Sequence, residues 1–149
     1  MTGRDRNDCV LIVEDNPGDA RLVQEAFNEV ETAWTIEHVD DGGKAIDRIR
    51  RRGAHFEAPV PRLVLLDLDI PTLHGLEVLE HVKSDRALRT IPVIVFTSSD
   101  SPADVREAYE LGANAYIVKP ASLEEYVETV EAIDRFWRMS TLSPLEKTQ

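Results

Sequence analysis

Short apolar runs alternate with segments of helical periodicity along the chain. In the helical segments, apolar residues recur at spacings of three and four, as in Leu22, Val23, Ala26, Phe27 and Val30, and this spacing indicates amphipathic helices. The apolar runs are short and are bounded by charged or turn residues, which is typical of buried strands. They comprise residues 9–13, 34–39, 63–66, 92–96 and 115–118.

Strict alternation of five such strands with five helices predicts a doubly wound α/β fold, in which helices cover both faces of a parallel sheet. The least apolar run, residues 34–39, predicts a strand near one edge. A chain of 149 residues fits one domain of this kind. We expect the domain to cover residues 8–138, with tails at 1–7 and 139–149 and no output domain.

The charge and the hydropathy of the chain exclude several classes of function. A net charge of −11 argues against nucleic-acid binding, because no surplus of cations is available to neutralise phosphates. The local exception, Arg48 with Arg50, Arg51 and Arg52, is interpreted as a solvated helix end. No apolar run could span a bilayer and no secretory signal is visible, so we expect a cytoplasmic protein with no membrane attachment. Cys9 opens an apolar run, which predicts a buried thiol.

Polar side chains follow four of the predicted strands at the points where these strands end. The first strand ends in Glu14 and Asp15, the third in Asp67, the fourth in Thr97 and the last in Lys119. The carboxyl ends of parallel strands meet at one edge of the sheet, where ligands bind in folds of this class. The sequence therefore predicts that three carboxylates, one hydroxyl and one ammonium share this edge.

Three clustered carboxylates favour a cation, because each like-charge pair at about 4 Å costs roughly 1 kcal/mol in water and about 4 kcal/mol at an effective dielectric of 20. Oxygen ligands without histidine or cysteine suit Mg²⁺, which commonly binds phosphate oxygens as well. Phosphoryl-transfer chemistry then assigns the roles. Asp67, after the most buried strand, is the predicted phosphoacceptor; Glu14 and Asp15 hold the metal; Lys119 and Thr97 contact phosphoryl oxygens.

This ordered set resembles the receiver domain of bacterial and archaeal response regulators. The resemblance rests on the acid pair Glu14-Asp15, on Asp67, on Thr97 and on Lys119-Pro120, and it spans nearly the whole chain. The runs VEDNPGDARLVQEAF, LLDLDIP and IPVIVFTSS are similar to single-domain regulators of the type paired with cyanobacterial phytochromes, and to stand-alone archaeal relatives.

The resemblance implies further properties of the fold and the site. It implies a flavodoxin-like (βα)₅ domain with strand order 2-1-3-4-5, phosphorylated from a sensor histidine kinase or a relay protein with Mg²⁺ or Mn²⁺. The main-chain carbonyl of Asp69 would complete the metal shell, Thr97 and Tyr116 would form the switch, and the Lys119–Pro120 bond would be cis. Asp69 and Ser99 would tune the lifetime of the phosphoryl group, since they lie two residues after Asp67 and Thr97.

The resemblance also implies how the signal leaves the domain. The surface of the fourth helix, last strand and fifth helix usually carries the contact to a downstream protein or to a second copy in a homodimer. The chain itself would be a phosphoacceptor with self-catalysed phosphorylation and dephosphorylation, and not an enzyme acting on other molecules.

Two other functions fit parts of the pattern. Asp67-Leu68-Asp69 after an apolar strand resembles the nucleophile motif of haloacid-dehalogenase-type phosphatases, but only Glu124-Glu125, inside a predicted helix, follows Lys119 where those enzymes place a metal-binding acid pair. A pseudo-receiver, a binding module that is never phosphorylated, would keep the fold without using the acidic site. A nucleotide-binding function has less support in the sequence, since neither a GxGxxG nor a GxxxxGK[ST] motif occurs.

Overall fold

A computed structural model describes residues 9–30 and 34–139 of the chain. Strands and helices alternate from end to end, as the apolar pattern predicts. Their bounds are β1 (Cys9–Val13), α1 (Pro17–Val30), β2 (Thr35–Val39), α2 (Gly42–Ile49), β3 (Leu63–Leu66), α3 (Gly75–Ser84), β4 (Val93–Thr97), α4 (Pro102–Glu110), β5 (Ala115–Val118) and α5 (Leu123–Met139), with a 3₁₀ turn at Gly53–His55 between α2 and β3.

The five strands form one parallel sheet in the order β2-β1-β3-β4-β5, which confirms the expected fold class. In the register, Val13 of β1 faces Leu66 of β3, so the residues that follow them, Glu14 and Asp67, leave the sheet side by side. β2 is an edge strand and is only partly buried, in agreement with its weaker apolar pattern.

Helices bury both faces of the sheet. Successive residues of a strand point to opposite faces, so each strand contributes to two cores. Leu11 and Val13 of β1 pack in a core with α2 and α3, whereas Val10 and Ile12 pack in a second core with α1 and α5. The central strands β1, β3 and β4 are buried at every position, which explains why their sequences read as continuous apolar runs.

Arg48 corrects the prediction of a solvated arginine cluster at the end of α2. Its side chain is 1% exposed and donates through Nε to a carboxylate oxygen of Glu37 at 2.9 Å, and through a guanidinium N–H to the carbonyl of Pro59 at 2.9 Å. These bonds offset part of the cost of burying the charge, although the buried Nη1 of Arg48 makes no hydrogen bond. The hydrogen bond from Arg48 also lowers the pKa of Glu37. Cys9 is buried beside them, as predicted, and burial raises the pKa of its thiol to about 12.

The expected tails lie outside the described residues, except for Met139. This residue ends α5, so the last helix extends one position beyond the predicted domain limit at 138. Over residues 9–30 and 34–139, no helix combines the length and the hydropathy that are needed to span a bilayer.

Candidate functional site

Three carboxylates meet at the carboxyl edge of the sheet. One oxygen atom each of Glu14, Asp15 and Asp67 can be chosen so that all three lie within 4.8 Å of one another. Glu14 and Asp67 are buried because they follow paired positions of two central strands, whereas Asp15 is exposed. The sequence prediction that these acids converge is therefore confirmed by the geometry.

The ammonium of Lys119 lies inside this acidic cluster. Its side chain is 7% exposed, and its Nζ lies 2.7 Å from Glu14 Oε1, 2.8 Å from Asp19 Oδ2 and 3.1 Å from Asp67 Oδ2. The backbone N–H of Lys119 donates to the carbonyl of Thr97 at 2.7 Å, which extends the β4–β5 pairing by one residue and directs the lysine toward the site.

The Lys119–Pro120 peptide bond is trans, which corrects the expected cis bond; the described residues contain no cis peptide bond. The trans form is favoured by about 0.5–1 kcal/mol in X–Pro bonds. The long side chain of Lys119 reaches both Glu14 and Asp67 from this trans backbone, so contact with the carboxylates does not require the cis form.

The pKa values of Glu14 and Lys119 are both raised, for different physical reasons. Burial raises the pKa of Glu14 from 4.5 to about 7, because the loss of hydration and the nearby charge of Asp67 outweigh the hydrogen bonds from Lys119 and the backbone of Asn16. Burial alone would lower the pKa of Lys119, but its hydrogen bonds to Asp19 and Glu14, with the charge of Asp67, raise that pKa above its ordinary value. The lysine therefore remains an ammonium and the site carries excess negative charge.

The donor set fits a hard divalent cation. The cluster offers three carboxylates, and carboxylate oxygens are ligands that Mg²⁺ and Mn²⁺ accept. Neither ion requires a histidine or a cysteine ligand. A cation would also relieve the repulsion between buried Glu14 and Asp67, which Lys119 offsets only in part. Glu14, Asp15 and Asp67 are accordingly the residues that could hold it.

A second group of contacts links the end of β4 to β5. Thr97 is buried, and its hydroxyl accepts a long hydrogen bond from the N–H of Ser99 at 3.4 Å. The hydroxyl of Ser99 donates to Asp104 Oδ2 at 2.6 Å, and the hydroxyl of Tyr116 donates to the carbonyl of Ser99 at 2.9 Å. Ser99 therefore lies between the predicted switch residues Thr97 and Tyr116 and contacts both.

Asp67 is further constrained by the loop that follows it. The N–H of Asp69 lies 3.4 Å from Asp67 Oδ1, while the Asp69 side chain is exposed. Gly75, the first residue of α3, packs so closely that an added Cβ would lie 2.4 Å from the carbonyl oxygen of Asp67 and 2.5 Å from Leu68 Cα. Glycine is therefore required at Gly75 by the close approach of α3 to the acceptor loop.

Sequence reasoning missed two contacts of the site. Asp19, five residues after Glu14, is absent from the predicted set of site residues, yet it binds Lys119. The sequence did contain an indication of this contact. The helix α1 begins at the same edge of the sheet as the acid pair, and Asp19 lies in its first turn. His38 was also missed: its Nε2 lies 2.7 Å from the carbonyl oxygen of Glu14, and no local sequence feature indicates this contact.

Comparison with known proteins decides the family. Residues 10–131 match the response regulator receiver domain. The chain belongs to that family. Receiver domains are components of two-component signalling and are not a family of catalytic enzymes.

Three relatives illustrate the similarity. The probable methanogenesis regulatory protein FilR2 of Methanothrix harundinacea is 41% identical, over 91% of this chain and 86% of that protein. The response regulator Rcp1 of Synechocystis is 37% identical, over 91% of this chain and 92% of that protein. The phosphorylated cyanobacterial phytochrome response regulator RcpA superposes with a TM-score of 0.86 at 37% identity, over 93% of this chain and 99% of that one.

One of these relatives, Rcp1, has a crystal structure with Mn²⁺ bound. The Mn²⁺-bound form of Rcp1 superposes on this chain with a TM-score of 0.83 at 35% identity, over 92% of this chain and 99% of that one. The observation concerns Rcp1, and it agrees with the hard-cation character of the acidic cluster.

Proposed function

We propose that this receiver accepts a phosphoryl group on Asp67 from a phosphohistidine of a sensor kinase or relay protein, and thereby switches the binding of a partner. The observation that carries the proposal is the convergence of Glu14, Asp15, Asp67 and Lys119 at one edge of the sheet. Residues 8–138 are the proposed functional unit, and residues 10–131 of them match the receiver family.

The chemistry follows from the positions of these groups. A carboxylate oxygen of Asp67 forms a bond to phosphorus while the bond from phosphorus to the imidazole nitrogen breaks, and the electron pair remains on the imidazole. Lys119 donates to a phosphoryl oxygen, and the hydroxyl of Thr97 donates to another. A divalent cation held by Glu14, Asp15, Asp67 and the main-chain carbonyl of Asp69 would neutralise the charge on the transferred group.

The phosphoryl group would be released by hydrolysis, at a rate influenced by residues beside the site. A water oxygen forms a bond to phosphorus while the bond from phosphorus to the Asp67 oxygen breaks, which releases inorganic phosphate and restores the carboxylate. Both proposed steps change only the phosphorylation of the chain itself. We propose that Asp69, whose side chain is exposed, and Ser99, whose N–H contacts the Thr97 hydroxyl, influence the access of that water.

The switch would pass from Thr97 through Ser99 to Tyr116. Movement of the Thr97 hydroxyl toward a phosphoryl oxygen would disturb its bond to the Ser99 N–H, and Ser99 in turn accepts the hydroxyl of Tyr116. This chain of contacts leads from the acceptor to β5. A shift of partner affinity of about 1–3 kcal/mol is typical of such coupling.

The α4–β5–α5 surface is the proposed output face, for a downstream protein or for a second copy in a homodimer. An apolar groove of about 710 Å³ runs between β5 and α5, and Phe136 at its rim is 62% exposed. Val118 of β5 and Tyr109 of α4 are also exposed on these elements. Exposed apolar side chains of this kind are characteristic of protein contacts.

A small phosphodonor tests the proposal without a cognate kinase. Incubation with phosphoramidate and Mg²⁺ should add the mass of one phosphoryl group to the intact chain, and Asp67→Asn should abolish this addition. Asp85→Asn is the matched control, because Asp85 is an aspartate at the opposite end of α3. A wild-type chain that is never labelled would favour the pseudo-receiver, and turnover of p-nitrophenyl phosphate would favour the phosphatase.

A further inference from the structure

Asp19 contacts the site but does not belong to the carboxylate cluster. Its Oδ2 lies 2.8 Å from Lys119 Nζ, while the side chain is 33% exposed. Asn16 Oδ1 accepts the backbone N–H of Asp19 at 3.0 Å, which fixes the first turn of α1 beside the site. Asp19 is the third residue of that helix, so its carboxylate also lies at the favourable end of the helix dipole.

All three donors of the lysine are in use. An ammonium has three N–H bonds to donate, and three carboxylates surround it: Glu14 at 2.7 Å, Asp19 at 2.8 Å and Asp67 at 3.1 Å. Three contacts fix the orientation of the ammonium as well as its position. Loss of any one of them would weaken the constraint on the orientation of the ammonium.

The three partners differ in what happens to them during the proposed reaction. Glu14 and Asp67 belong to the cluster that can hold a cation, and Asp67 becomes an acyl phosphate. Both must therefore change their contacts with Lys119 when the metal and the phosphoryl group arrive. Asp19 stands outside that cluster and can keep its contact throughout.

We propose that Asp19 is a positioning residue, which holds the ammonium of Lys119 at the acceptor while the contacts to Glu14 and Asp67 are exchanged. This inference rests on the proposed function, since it assigns a role in phosphorylation. With Asp19 in place, the two remaining N–H bonds of Lys119 stay directed at the position where phosphoryl oxygens arrive.

The test combines a kinetic readout with a spectroscopic one. The variants are Asp19→Asn, the conservative Asp19→Glu, and Glu77→Gln as a control that removes one charge from the same third position of α3. The rate constant of phosphorylation is measured with phosphoramidate at saturating Mg²⁺. The exchange of the Lys119 ammonium protons with water is followed by ¹H–¹⁵N NMR of the chain without donor, which reports the contact independently of phosphorylation.

Asp19→Asn should lower the phosphorylation rate by about threefold to tenfold, below the hundredfold that a misplacement of about 1 Å can cost, because two contacts remain. It should also accelerate exchange of the ammonium protons, and Asp19→Glu should recover at least part of both effects. A phosphorylation rate of Asp19→Asn equal to or above that of wild type, or an equal fall in Glu77→Gln, would overturn the role of Asp19. Neither result would contradict the proposed function. A wild-type chain that takes up no phosphoryl group would overturn the proposed function together with the role of Asp19.

Discussion

Lys119 and Glu14 set the electrostatics of the site at the scale of single residues. One ammonium faces the carboxylates of Glu14, Asp19 and Asp67, so the buried pocket retains net negative charge. Burial keeps the pKa of Glu14 near 7, because an ionised Glu14 would lose its hydration, and the nearby charge of Asp67 raises this pKa further. A divalent cation and a proton on Glu14 are therefore alternative ways to relieve the same repulsion.

The affinity for Mg²⁺ should consequently depend on pH. The pKa of Glu14 is raised from 4.5 to about 7, so the metal-free folded chain takes up a proton as the pH falls through 7, and Mg²⁺ must displace it. We expect the affinity to weaken by up to about tenfold per pH unit below pH 7 and to level off above it. Isothermal titration calorimetry in buffers of different ionisation enthalpy measures both the affinity and the released proton.

The same linkage fixes how the stability of the metal-free chain varies with pH. Because the folded pKa of Glu14 lies above the unfolded one, its contribution to stability is complete below about pH 4.5 and is lost as the pH rises through about 7.

Glu14→Gln should remove the dependence of Mg²⁺ binding on pH in this range. An affinity for Mg²⁺ that stays constant from about pH 6 to about pH 8 would contradict the assignment of Glu14.

Asp69→Asn should lengthen the lifetime of the phosphoryl group several-fold. The Asp69 carboxylate is exposed next to the acceptor, with its own N–H 3.4 Å from Asp67 Oδ1, so it can orient a water molecule for attack on the acyl phosphate. The amide retains the shape of the side chain but accepts a proton far less readily. The decay of the phosphorylated chain by intact mass gives the half-life, and an unchanged half-life would refute the role of Asp69.

At the scale of elements, the site is assembled by the register of β1, β3, β4 and β5. Val13 faces Leu66 and Thr97 faces Val118, so each functional residue lies at or just beyond the last pairing of its strand. The helix that follows β3 completes the arrangement, because Gly75 permits α3 to begin in contact with the backbone of Asp67. Positions in the sheet thus determine distances in the site.

Gly75→Ala should destabilise the fold and disturb the acceptor together. The new methyl group would lie 2.4 Å from the carbonyl oxygen of Asp67, which is backbone and cannot rotate away. We expect a loss of about 1–3 kcal/mol in the free energy of unfolding, measured by urea denaturation, and slower phosphorylation. Gly43→Ala in α2 is the control, since the atoms that its Cβ would meet belong to side chains at 3.2 and 3.3 Å. Equal effects of the two substitutions would contradict the account.

The strands and their carboxyl ends could be predicted from the sequence because buried parallel strands read as uninterrupted apolar runs. Asp67 and Lys119 follow directly from that pattern. The contact of Asp19 with Lys119 joins residues 100 positions apart, and it depends on the rotation of α1 about its axis, which periodicity determines only coarsely. The burial of Arg48 was not predictable either, because it depends on its pairing with Glu37 across an edge strand.

At the scale of the whole molecule, the acidic site is separated from the ion pair between buried Arg48 and partly exposed Glu37. The acidic site lies at the carboxyl edge of the sheet, whereas Arg48 and Glu37 pair beside Cys9, the first residue of β1, near the opposite edge. The proposed output face lies on α4, β5 and α5, to the side of the acceptor. A signal would therefore travel laterally, from Asp67 through Thr97 and Tyr116, and would not need to cross the core.

The most direct test of the central claim is the chemical location of the phosphoryl group. The phosphorylated chain is reduced with borohydride, which converts an aspartyl phosphate to homoserine, and the digested peptides are sequenced by mass spectrometry. The account predicts homoserine at position 67 and at no other aspartate, with its appearance dependent on Mg²⁺. Homoserine at another aspartate, or none in a chain that carries a phosphoryl group, would contradict the assignment of Asp67 as the acceptor.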